Sequence, residues 1–146
     1  RMARAVARAT AEGFTHVAFG DLFLEDVRQC RETRLGGSGL EPLFPLWHQP
    51  TDRLARTMIA AGLCARLTCV DPTRLDRSFA GAQYDGDLLT RLPEGVDPCG
   101  ERGEFHTFAY AGPMFPAAIN VELGEVVERD GFVFADLSPR QAAPTS

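Results

Sequence analysis

The chain has 146 residues, 45% of them hydrophobic and 24% charged, enough apolar material for a real core and the size of one domain, or of one domain with a small appendage. Its 15 basic and 20 acidic side chains leave a formal charge of -5, which argues against a polybasic nucleic-acid face and against an anchor for anionic membranes. All 15 basic residues are Arg, so Schiff-base lysines, Ser-Lys dyads and Walker-type phosphate loops are excluded.

In chain order, residues 2–12 are Ala-rich with Met2, Val6 and Ala9 at helical spacing, and Gly13 stands where a C-cap would end the helix. Residues 15–20 form a short apolar strand closed by Gly20-Asp21, and Asp21 is placed to N-cap a second helix carrying Phe23, Val27 and Cys30. The glycine cluster 36–39 ends that helix; because it opens a strand rather than a helix, it is a linker and not a phosphate cradle. A second strand at 42–47 is broken by Pro45, Thr51 or Asp52 can cap a third helix bearing Leu54, Met58 and Ala61, and 64–70 is a third strand. Strands alternating with helices predict an α/β fold, a partial Rossmann-like parallel sheet covered by helices on both faces.

After Asp71-Pro72 this alternation stops. One short helical piece, 85–91, is followed by three expected strands at 105–110, 117–122 and 131–136, the last two separated by a segment containing the hairpin signal Glu128-Arg129-Asp130-Gly131. The expected organisation is therefore half of a Rossmann-like nucleotide-binding domain over 1–75, a small, mainly antiparallel α+β lobe over 76–138, and a disordered tail over 139–146. Cys30, Cys64, Cys69 and Cys99 form neither a CxxC pair nor a dense framework, which reads as reduced thiols in a cytoplasm, with Cys64 and Cys69 as packing residues. No apolar run approaches the roughly 20 residues of a membrane helix, and the first residues lack the apolar centre of a signal peptide. The chain opens at Arg1 inside a helical pattern, as a piece of a longer protein would.

The densest polar constellation lies in residues 95–108, which place Asp97, Cys99, Glu101, Glu104, His106 and Thr107 around glycines. Gly100 and Gly103 can turn the backbone sharply and present N–H groups to an anion or a carbonyl oxygen. Strand alternation would set Glu104 and His106 on one face, and an acid beside an imidazole can manage a proton near neutral pH. The same residues also have a purely structural reading, and Cys99, Glu101, Glu104 and His106 have a metal reading, although one thiolate among carboxylates matches no usual structural zinc set. A second candidate is Gly20-Asp21 at the carboxyl end of a parallel strand, where open α/β sheets place ligands. Trp47 and His48 follow the second strand on the same rim, Trp47 being better suited to the core than to stacking on a base.

The strings VAFGDLFLEDVR (17–28), LFPLW (43–47), GVDPCGERGEFHTF (95–108) and YAGPMF (110–115) resemble the diphthine ammonia ligase family, a branch of the adenine nucleotide alpha hydrolase or ATP-pyrophosphatase fold, over about residues 1–138. That resemblance implies an N-terminal nucleotide domain, a C-terminal lobe that holds substrate through a GEFHT-type segment, and ATP-dependent joining of ammonia to a carboxylate by way of an adenylate. It implies ATP, with Mg, as cofactor, and as partners a nucleotide and a carboxylate, free or carried on a protein, with no nucleic acid and no membrane. Gly20 and Asp21 would face the nucleotide; Glu104 and His106 would be catalytic; Cys99, Gly100, Glu101, Gly103 and Thr107 would bind substrate; no residue is assigned to a metal. The family's Ser-Gly-Gly-Lys-Asp-Ser phosphate loop does not occur in this sequence. The reading is thus a fragment of such a ligase, with a ligand-binding module lacking that loop as the first alternative and a metal-dependent hydrolase as the second.

Overall fold

The computed structural model describes residues 2–140. The chain divides into two compact units between Pro50 and Thr51, and each is described by itself.

The first unit begins with helix α1 (Met2–Ala11). It ends as its spacing predicts, with Gly13 at φ +87°, a left-handed conformation that suits glycine. Strands β1 (His16–Ala18) and β2 (Glu41–Leu43) pair in parallel, joined through helix α2 (Glu25–Leu35). Asp21 does not cap this helix. The N-cap is Leu24, without a side-chain cap bond, and the first-turn Glu25 and Asp26 instead set negative charge against the positive end of the helix dipole.

The second unit opens with helix α3 (Thr51–Ala60) and strand β3 (Cys64–Val70). A single 3-10 turn (Arg77–Phe79) and helix α4 (Gly86–Arg91) follow, α4 being capped by the Asp85 carboxylate, which accepts from the Leu88 N–H at 2.9 Å. Strands β4 (Phe105–Ala111), β5 (Val121–Arg129) and β6 (Phe132–Pro139) complete a four-stranded sheet ordered β4-β3-β6-β5. Every pairing in it is antiparallel.

The α/β class holds, as a small parallel pair and a separate antiparallel sheet. Strand 64–70, expected in the parallel sheet, belongs to the antiparallel one. The physical reason is legible in its side chains: Ala65, Leu67 and Val70 are buried while Arg66 and Thr68 are only half-buried. That is the pattern of a strand with one covered face, not of a parallel strand buried on both. The unit boundary accordingly falls before α3 rather than near residue 75.

The strand expected at 117–122 starts four residues later and runs through Gly124 to Arg129. Gly124 is absorbed in a bulge between Leu123 and Val126, where a Cβ at Gly124 would lie 3.4 Å from that of Asp136. The hairpin turn does form, with Asp130 at φ +51° and Gly131 at φ +80°. Of the expected tail, Pro139 ends β6 and the Arg140 N–H donates to the Asn120 carbonyl at 2.9 Å, while 141–146 lie outside the described residues.

The core of the second unit covers one face of its sheet. Ala55 of α3, Leu75, Phe79, Tyr84 and Leu88 pack with Leu67, Val70, Phe105 and Val133. In the register, Phe105, Val70 and Val133 form one row across β4, β3 and β6, and all three are essentially inaccessible. The next row, His106, Cys69 and Phe134, therefore points away from the helices.

Candidate functional site

The loop between Asp97 and Glu104 is closed by its own carboxylates. Glu104, only 1% exposed, accepts from the Asp97 N–H through Oε1 and from the Arg102 N–H through Oε2, both at 3.0 Å. Asp97 Oδ1 accepts from the Cys99 N–H at 2.8 Å and, more weakly, from the Glu101 N–H at 3.5 Å. The Gly100 and Gly103 N–H groups donate to the carbonyls of Asp97 and Gly100. The expectation that amides at 100–103 offer an oxyanion site is thus overturned: the loop builds the anion-binding concavity and fills it with Asp97 and Glu104.

Further contacts fix this loop to the core. The Asp71 N–H at the end of β3 donates to the Glu104 carbonyl at 2.9 Å, and the Tyr84 hydroxyl donates to the Pro98 carbonyl at 2.8 Å. Burial raises the Tyr84 phenol well above its usual range, so this donor keeps its proton. At Gly100 the backbone is left-handed, φ +68°, and an added Cβ would lie 2.7 Å from the Phe105 carbonyl oxygen. The Cys99 thiol donates to the Thr51 carbonyl at 3.4 Å. Burial, and after it the charges of Asp97 and Glu101, push that thiol up to about 11. It is protonated at neutral pH, which makes it a poor nucleophile there.

Glu104 and His106 do not share a face. Glu104 precedes the first ladder pair of β4, Val70 with Phe105, so strand alternation does not reach it; it turns inward while His106 is exposed. Thr107 pairs with buried Leu67 and faces opposite to His106. Among the described residues no three His, Cys, Asp or Glu side chains are grouped to hold a metal ion.

What the structure brings around His106 is the open sheet face. His106 is in register with Cys69, which lines a cavity of about 420 Å³ together with Thr68, Phe108, Ile119 and Phe134. Phe108 is 39% exposed, a large ring left uncovered in the sheet. Residues Thr68 and Phe108 escaped the sequence reading; the alternation of polar Arg66 and Thr68 with apolar neighbours was the signal for this second face.

In the first unit, Gly20 and Asp21 follow the carboxyl end of β1, as expected, but the Asp21 carboxylate pairs with the Arg31 guanidinium at 3.3 Å. Arg31 in turn lies over the Phe19 ring and Arg28 lies 4.8 Å from the rings of both Phe44 and Trp47. Trp47 also stacks on His48, centroids 5.1 Å apart. These groups occupy one another in a local cation-π cluster. The Gly36–Gly39 linker follows α2, so no glycine loop here opens a helix toward a phosphate.

Among the described residues no helix is long and apolar enough to cross a membrane. The profile of the diphthamide synthase C-terminal domain matches residues 50–136, beginning one residue before the second unit. A rat protein named diphthine–ammonia ligase is 33% identical over 104 residues, covering 68% of this chain and 39% of its own length. Its human counterpart of the same name is 34% identical over the same shares. A Schizosaccharomyces pombe protein of that name is 33% identical over 94 residues, 62% of this chain and 16% of its own length. The chain thus spans only part of these relatives, and with its profile match running through more than half of its residues it belongs to the diphthine–ammonia ligase family.

Proposed function

We propose that this chain supplies the substrate lobe of an ATP-dependent ligase that joins ammonia to a carboxylate, and that its first unit is part of the Rossmann-like nucleotide layer of the same enzyme. The observation that carries the reading is His106, exposed on an open sheet face beside a cavity of about 420 Å³, a volume suited to a small substrate. That residue lies within the region matched by the family profile.

A carboxylate is a poor electrophile until one of its oxygens becomes part of a leaving group; ATP with Mg would supply that chemistry. The residues described here do not fit the phosphates: Asp21 is paired with Arg31, and the amides of loop 97–104 are consumed internally. No activation step is therefore assigned to them. Their part is the amine's attack. His106 accepts a proton from the nitrogen of the attacking ammonia as the carbon–nitrogen bond forms and the bond from that carbon to the activated oxygen breaks, the oxygen leaving with its leaving group. Glu104, Gly100 and Gly103 act as positioning residues, fixing the loop from which β4 emerges, and Cys99 packs beneath it. Glu101 and Thr107 are assigned to the lobe's substrate contacts, outside the cavity that Cys69 and Phe134 line; Gly20 and Asp21 stay on the nucleotide side.

The test uses the full-length protein with ATP, Mg, ammonium and a diphthine-bearing protein. Release of AMP that requires both ammonium and the carboxylate, and that falls at least tenfold in His106→Ala with ATP binding retained, is the expected result. Absence of AMP release overturns the reading. It would leave the second reading, a ligand-binding module, which the self-satisfied loop favours because it presents no oxyanion donor.

A further inference from the structure

We infer that the open face of the antiparallel sheet carries a subsite for a small amphipathic oxyanion, its carboxylate or phosphate head held between Arg66 and Arg140 and its apolar body lying along Phe108, Ile119 and Phe134. This deepens the reading of that face as the substrate side and rests on it for its catalytic meaning, whereas the binding itself is separately measurable.

Arg66 and Phe108 are cross-strand partners and so project from the same face of β3 and β4. Tyr110 sits at the bulge beyond Phe108, its hydroxyl donating to Gln83 Oε1 at 2.9 Å. Arg66, Tyr110, Asn120 and Arg140 line a hollow of about 160 Å³ that shares Ile119 and Val121 with the larger apolar cavity. The two spaces adjoin at Ile119 and Val121, and the smaller one carries the cationic end. Its geometry is fixed: the Ile119 N–H donates to the Tyr110 carbonyl at 2.7 Å, and the Arg140 N–H to the Asn120 carbonyl at 2.9 Å. Arg66 Nη1 donates to the Gly81 carbonyl at 2.8 Å, which aims the guanidinium and leaves its other donors available.

The charge at this end is uncompensated. Among the described residues neither Arg66 nor Arg140 has a carboxylate within ion-pair distance, although acidic side chains outnumber basic ones in the chain by 20 to 15. Asp136, which lines the apolar part, is already paired with Arg129 at 3.5 Å. Glu122 shares a neighbouring hollow with Arg140 without pairing with it. Two planar guanidiniums suit an oxyanion better than any other head group. A ligand so anchored extends over Cys69 and Phe134 toward the row of His106.

Calorimetric titration of the intact protein with hexanoate, hexyl phosphate, acetate and hexan-1-ol separates head from tail. One of the two six-carbon anions should bind at a single site at least tenfold more tightly than acetate or hexan-1-ol, and which anion wins identifies the head as carboxylate or phosphate. Arg140→Gln should weaken that anion at least tenfold at unchanged Tm, since this side chain is exposed and makes no ion pair among the described residues, and Arg140→Lys should restore part of the loss. Phe108→Ser should weaken the six-carbon anions while sparing acetate. Hexan-1-ol binding as tightly as the anions, or Arg140→Gln binding like the parent, overturns the subsite. Anion binding without AMP release sinks the ligase reading alone, and AMP release without anion binding sinks the subsite alone.

Discussion

Loop 97–104 and strand β4 adjoin in the chain and carry similar polar residues, yet use them in opposite ways. In the loop, two carboxylates are drawn inward onto backbone N–H groups that would otherwise be unsatisfied. In β4 the ladder satisfies the backbone, which leaves His106 and Phe108 free to face outward. Density of polar groups therefore marks a site only where the backbone does not need them first.

The sharpest way to break this contrast is Glu104→Ala, which strips the acceptors from two amides in a buried setting. It is expected to cost about 3 kcal/mol or more, at the known cost of leaving buried donors unmade, read from denaturant midpoints. Next is Gly100→Ala, where the left-handed backbone and the close Phe105 carbonyl should together cost about 2 kcal/mol. Tyr84→Phe, losing the bond to the Pro98 carbonyl, should cost about 1 kcal/mol. A cost near zero for Glu104→Ala would mean that the loop is not held by this carboxylate.

A smaller effect follows pH. The Cys99 thiol ionises only near about 11 in the folded protein against an ordinary value of 9.0. A folded-state value raised above the unfolded one gives stability that is intact below pH 9.0 and is lost as pH climbs toward about 11. Urea midpoints taken at about pH 8 and about pH 10.5 should therefore fall less in Cys99→Ala than in the parent.

Helix ends and turns with local causes were legible in the sequence: Gly13 after α1, Asp85 at the start of α4, and Asp130-Gly131 in the hairpin. Pairing direction was not, because β3 looks like any apolar strand until its polar Arg66 and Thr68 are read as a second face. Of the candidate site, the GEFHT segment was found, but its division between an inward Glu104 and an outward His106 depends on where the ladder with β3 begins. Asp21 was misread as a helix cap because its partner, Arg31, is ten residues away and on the helix itself.

The most direct test of this division compares Glu104→Gln with His106→Ala in the full-length protein, measuring unfolding free energy and AMP release side by side. The account predicts that Glu104→Gln loses about 1–3 kcal/mol of stability, whereas His106→Ala keeps its stability within about 0.5 kcal/mol and loses turnover. A destabilised His106→Ala with normal turnover, or a fully stable Glu104→Gln that is catalytically dead, would contradict it.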